Sequence, residues 1–101
     1  MEGEKVAAKL NRLLEKYGSN KRAYAVITNV ESAVRSAYSS AEECQIGRVL
    51  DRIATLRWYH EYCVRTGLPD EVCTAINTAL WVAKTEIPEI LREKCGCTVR
   101  R

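Results

Sequence analysis

The chain has no stretch that would anchor it in a bilayer. Its longest uninterrupted apolar runs, such as residues 79–83, fall far short of the roughly 20 residues a spanning helix needs. The opening segment MEGEKVAAKLNRLLEKYGS carries mixed charge throughout and never builds the apolar run of a signal peptide. The expectation is an intracellular, cytoplasmic protein, or a virion component of an intracellular virus, with no membrane partner.

Catalytic signatures are missing as well. There is no Gly-rich phosphate loop, no His-Glu-x-x-His pair and no serine elbow. The single histidine, His60, lies in an apolar stripe, where an imidazole is more often a core or interface group than a general base. The carboxylates are scattered over solvent faces and form no paired constellation. These absences argue against an enzyme and against a bound cofactor.

Paired Cys-x-x-Cys knuckles are absent too, so no structural zinc site is expected. His60, Cys63 and Cys73 would supply three ligands rather than four. Cys95-Gly-Cys97 lacks thioredoxin spacing and has no strand before it. The expected metal content is therefore none, and a cysteine-based redox or metal sensor is the weakest of the readings. Methionine and glutamine are nearly missing, represented by Met1 and Gln45 alone; both residue types are thermolabile and depleted in hot organisms. That pattern makes sense of five cysteines in a chain without a signal peptide, because intracellular proteins of hyperthermophiles are often disulfide-bonded. A thermophilic, archaeal or viral origin is expected.

No segment alternates like a strand, and there is no repeat or linker, so residues 1–101 read as one helical domain. Val6, Leu10, Leu13, Leu14 and Tyr17 place a first helix over about residues 4–17, with Gly18 positioned to end it. Ser19 or Asn20 caps a second helix whose stripe is Ala23, Val26, Ile27, Val30, Ala33, Val34 and Ala37. Ser40-Ala-Glu-Glu43 reads as a capping box opening a third helix, with Ile46, Val49, Ile53, Leu56, His60 and Cys63 inward and Gly67 at its end. Pro69 and Asp70 open a fourth, with Val72, Cys73, Ile76, Ala79, Leu80, Ala83 and Ile87 inward. Pro88 removes a backbone donor and should kink this helix or start a short fifth one over 88–95. The fold class is all-α: a compact bundle of four helices with that kink or short fifth helix.

In CVRTGLPDEVC, Cys63 and Cys73 stand five residues either side of Leu68, across the neck of a helical hairpin. A bridge there forms if the Cα atoms approach to about 5.5 Å; the alternative is two small buried thiols acting as hydrophobes. The same hairpin would bring Cys44 near Cys95 or Cys97, although on a third-helix wheel Cys44 points away from the apolar stripe.

Two surfaces stand out. Lys5, Lys9, Arg12 and Lys16 follow steps of four, three and four, forming a cationic row suited to a polyanion, since each neutralised phosphate releases counterions. Arg48, Arg52 and Tyr59 share a sector of the third helix and could hold a backbone and stack on bases. The tail residues Arg100 and Arg101 add two cations. Trp81 falls on the polar face of the fourth helix with Asn77, Lys84 and Thr85, the signature of a contact with another subunit or another copy of the chain. Trp58 and Tyr62 are instead expected to be covered by neighbouring helices.

The leading expectation is a non-catalytic small helical subunit of a nucleoprotein assembly that touches nucleic-acid backbone and docks on other subunits or on itself. A small subunit of a CRISPR effector and an archaeal viral nucleic-acid-binding protein are examples of that class. The alternative is a protein–protein adaptor or regulator with no nucleic-acid binding.

Overall fold

The computed structural model describes residues 2–96; Cys97, Arg100 and Arg101 lie outside them. Four helices account for nearly all of these residues: α1 (Glu2–Lys16), α2 (Lys21–Glu42), α3 (Ile46–Arg65) and α4 (Asp70–Cys95). They pack around one continuous apolar core, and the radius of gyration, 13.6 Å, is that of a compact domain of this size.

The order of packing follows from which faces are apolar. α2 and α4 each touch all three other helices, whereas α1 and α3 do not touch each other. The central pair is built from small and β-branched side chains. Ala23, Ala33, Ala37 and Ala41 of α2 and Ala75, Ala79 and Ala83 of α4 are buried beside Val26, Ile27, Val30, Ile76 and Ile87. Residues without bulk let two axes approach closely. Ion pairs and hydrogen bonds give the directions. Gly3 meets Glu86 while Lys16 meets Glu71, so α1 and α4 run antiparallel. Tyr38 meets Glu86 while Glu42 meets Lys94, so α2 and α4 run parallel.

Local signals place most boundaries. The Asn20 side chain accepts from the Ala23 N–H at 3.1 Å, capping α2. α3 ends in a Schellman turn: Gly67 takes a left-handed φ of 70°, and the Leu68 N–H donates to the Cys63 carbonyl at 3.1 Å. Gly18 follows the end of α1 as expected, but without the left-handed φ that Gly67 adopts. It lies in the turn after α1, where an added Cβ would come within 2.9 Å of the Leu14 carbonyl oxygen.

The capping box is a correction. Ser40 does not open α3; it is buried inside α2, which continues to Glu42 because Ser40 and Ala41 prolong its core-facing stripe. The break comes at Cys44, which adopts a left-handed φ of 60°. Gln45 N–H donates to the Ser40 carbonyl and Cys44 N–H to the Ala41 carbonyl, a Schellman turn with cysteine where glycine is usual. α3 then starts at Ile46 with no side-chain cap. Its fully buried line is only Val49, Leu56 and Cys63. Without α1 against it, α3 leaves Ile46 exposed and Ile53 and His60 half-buried.

Pro88 stands inside α4, which continues as helix to Cys95, so no separate fifth helix forms. The ring denies Lys84 its usual hydrogen-bond donor, while buried Ile87, Ile90 and Leu91 hold both sides of the helix to the core.

Both expected cysteine links are present. Cys63–Cys73 joins the necks of α3 and α4 with its Cα atoms 5.6 Å apart. Cys44 pairs with Cys95 at the same Cα separation, 5.6 Å. Cys44 reaches α4 because it sits in the left-handed turn after α2, not on the third-helix wheel used to judge its direction.

Candidate nucleic-acid interface

On α1, Lys5, Lys9, Arg12 and Lys16 are all exposed, on one sector of the helix. Two of them have carboxylate partners. Lys5 pairs with Glu2 at 3.2 Å one turn earlier. Lys16 pairs with Glu71 of α4 at 2.8 Å, and the Tyr17 hydroxyl donates to the same oxygen at 2.9 Å. The hydrogen bond from Lys16, then that from Tyr17, holds the Glu71 carboxyl below its ordinary range, and the bond to Glu71 raises Lys16 in turn. Lys9 and Arg12 make no salt bridge among the described residues. Exposed pairs of this kind contribute little and yield readily to a competing anion. The sequence could not show Glu71 arriving from another helix.

The three residues singled out on α3 separate. Arg48 is exposed and donates to the Gln45 side chain at 3.2 Å. Arg52 is half-buried against α2, where its Nε donates to Ser36 Oγ at 2.9 Å while a terminal nitrogen reaches Asp51 at 3.3 Å. Arg52 and Tyr59 come together in a cleft of about 270 Å³ between α2 and α3, floored by Asn29, Ser32 and Ser36.

A second cleft of about 430 Å³ adjoins it, sharing Asn29 and Tyr59 and continuing to Lys21, Arg22, Trp58 and Tyr62. No carboxylate lines either cleft. Trp58 corrects an expectation: because α3 has no contact with α1, the residue is 52% exposed instead of covered. It stacks on Tyr62, with ring centroids 5.2 Å apart and planes within 10° of parallel, and Tyr59 meets it edge-on at 4.9 Å. The Arg65 guanidinium lies 5.9 Å from the Tyr62 centroid. Lys21, Arg22 and Arg65 are additions to the residues the sequence singles out, and Trp58 and Tyr62 join them as a ring pair at the surface. The steps from Trp58 to Tyr62 to Arg65, four and three residues, were the available signal.

On α4, Trp81 is 58% exposed. The Lys84 ammonium sits 4.5 Å from its ring centroid, a cation–π contact. The Thr85 hydroxyl turns back to the Trp81 carbonyl at 2.9 Å, and Asn77 is half-buried. Trp81 and Thr85 border a small cleft with Glu2, Val82 and Glu86.

The cysteine–histidine metal reading is incompatible with the Cys63–Cys73 bridge, which occupies both sulfurs. Among the described residues no group of three or more His, Cys, Asp or Glu side chains gathers as a metal site, and no helix is long and apolar enough to cross a membrane. Comparison with family models, curated proteins and solved structures gave no match to this chain.

Proposed function

We propose that this is a non-catalytic helical subunit of a nucleoprotein assembly, binding nucleic acid chiefly along the face shared by α2 and α3. One observation carries the proposal: the two adjoining clefts there combine Lys21, Arg22 and Arg52 with the rings of Trp58, Tyr59 and Tyr62, and neither is lined by a carboxylate. Cations neutralise phosphates, rings accept bases, and acids would oppose both. The α1 row of Lys5, Lys9, Arg12 and Lys16, with Arg48 on α3, supplies further backbone contacts. Trp81, with Asn77, Lys84 and Thr85, is the face for neighbouring subunits or a second copy. An assembly in a thermophilic archaeal cell or its virus, such as a CRISPR effector or a coated viral genome, suits two disulfides closing an intracellular chain. The test is fluorescence anisotropy with labelled DNA and RNA across a salt series. Binding whose affinity falls steeply with salt supports the proposal, and no binding at low salt overturns it.

A second reading has its own observation. Ile46, Leu50, Ile53, Arg57, His60 and Val64 share one face of α3, and Leu50 and Val64 are 64% and 61% exposed. An adaptor that docks proteins and ignores nucleic acid would use such a stripe. Under that reading Leu50→Glu abolishes association with a partner protein while nucleic acid never binds.

A further inference from the structure

The nucleic-acid reading leaves open which form of nucleic acid the α2–α3 face accepts. We infer that the face takes an unpaired strand, and that the exposed ring of Trp58 is the platform on which one of its bases stacks. This inference rests on the reading above and narrows it. Trp58 and Tyr62 form a nearly parallel pair, and Arg65 lies over Tyr62, so a flat stack already stands on the helix surface. Half of the Trp58 surface remains open to solvent. In a duplex the base faces are covered by their neighbours and offer such a ring nothing to stack on. A single strand presents them freely, and each stacked base adds affinity with little regard to sequence.

The cations are placed for the accompanying phosphates. Arg52 is held toward α2 by its bond to Ser36 at 2.9 Å, and Lys21 and Arg22 line the cleft that Trp58 borders. Ten residues of α3 separate Arg52 from Tyr62, about 15 Å along the helix axis at its usual rise. That length suits a strand of on the order of three nucleotides. The clefts are also small, about 270 and 430 Å³, with room for single bases and too little to enclose a double helix.

The experiment compares a twelve-nucleotide oligodeoxythymidine with the same strand paired to oligodeoxyadenosine. Wild type, Trp58→Phe and Trp58→Ala are titrated with each, reading affinity by anisotropy and ring contact by tryptophan fluorescence. The expected result is single-strand binding at least tenfold tighter than duplex binding, with quenching of wild-type fluorescence. Trp58→Phe keeps a ring, so it holds affinity within about threefold while most of the quenching disappears. Trp58→Ala loses about tenfold in single-strand affinity and leaves duplex affinity unchanged; circular dichroism confirms that it is folded. Equal affinity for both forms, unmoved by Trp58→Ala, overturns the inference while leaving the proposed function in place. Binding of neither form overturns both.

Discussion

The Tyr38 hydroxyl donates to Glu86 Oε1 at 2.6 Å, on the same oxygen that receives the Gly3 N–H at 3.0 Å. The other oxygen of Glu86 accepts from the Glu2 N–H at 3.3 Å. A carboxylate on α4 thus caps the N-terminus of α1 and satisfies two donors the helix cannot pair itself. Burial works to raise the Glu86 pKa, but the Tyr38 bond and the two backbone bonds outweigh it and leave the group below its ordinary 4.5. Tyr38 moves up, chiefly through burial and then through Glu86.

These shifts have opposite consequences for stability. A depressed carboxyl stabilises the fold above its unfolded pKa and loses that contribution as pH falls through the folded one. Urea unfolding should therefore show stability declining as pH drops below about 4.5. Glu86→Gln should cost on the order of 1–2 kcal/mol at neutral pH, and its acid decline should be shallower than that of the wild type. A raised tyrosine contributes fully below its unfolded pKa of 10.0 and loses the contribution only as pH rises through the folded value. Tyr38→Phe should accordingly weaken the fold at neutral pH and flatten part of any alkaline decline.

Gly3 permits this arrangement by having no side chain. A Cβ there would clash with the hydroxyl-bearing end of the Tyr38 ring. Gly3→Ala should lower unfolding free energy by roughly 1–3 kcal/mol through overpacking. Gly47 is the control, with nothing within 4 Å of an added Cβ; Gly47→Ala should stabilise the helix by about 0.4–1 kcal/mol. Thermal denaturation of the two variants should shift in opposite directions.

The two links enclose nested loops of 51 and 10 residues. Chain entropy values the shorter at about 2.7 kcal/mol and the longer at about 4 kcal/mol. Replacing both Cys63 and Cys73 by alanine should lower Tm by on the order of 10–20 °C. Thiol titration of an unreduced, denatured Cys97→Ser variant should find no free thiol, since the two links take all four cysteines among the described residues. Cys44 adds a finer check through its φ of 60°. With Cys95→Ala as background, Cys44→Gly should be more stable than Cys44→Ala by about 1–2 kcal/mol, because only glycine occupies that region without strain.

The four helices were legible because their apolar steps and terminators are local signals: Asn20 caps α2 and Gly67 ends α3 where the pattern says they should. Ser40 misled because a capping box and an interior serine share one sequence, and only the core decides between them. The direction of Cys44 and the arrival of Glu71 were illegible for a related reason. One owes its direction to a left-handed turn with no glycine to announce it, the other meets α1 only after the chain has folded back. Trp58 was misjudged because the wheel of α3 shows what could be covered, not that α1 and α3 stay apart.

The central claim, that the α2–α3 face holds nucleic acid, is tested most directly by how affinity for a single strand changes with salt in two variants. One replaces Lys21, Arg22 and Arg52 by glutamine; the other replaces Lys5, Lys9, Arg12 and Lys16. The wild type should show a steep fall of log affinity with log salt, and the first variant should flatten that slope by about 2 units, at roughly 0.7 per lost phosphate contact. The second variant should flatten it less, since no residue of α1 lines either cleft. A first variant that binds with the wild-type slope and affinity would contradict the account.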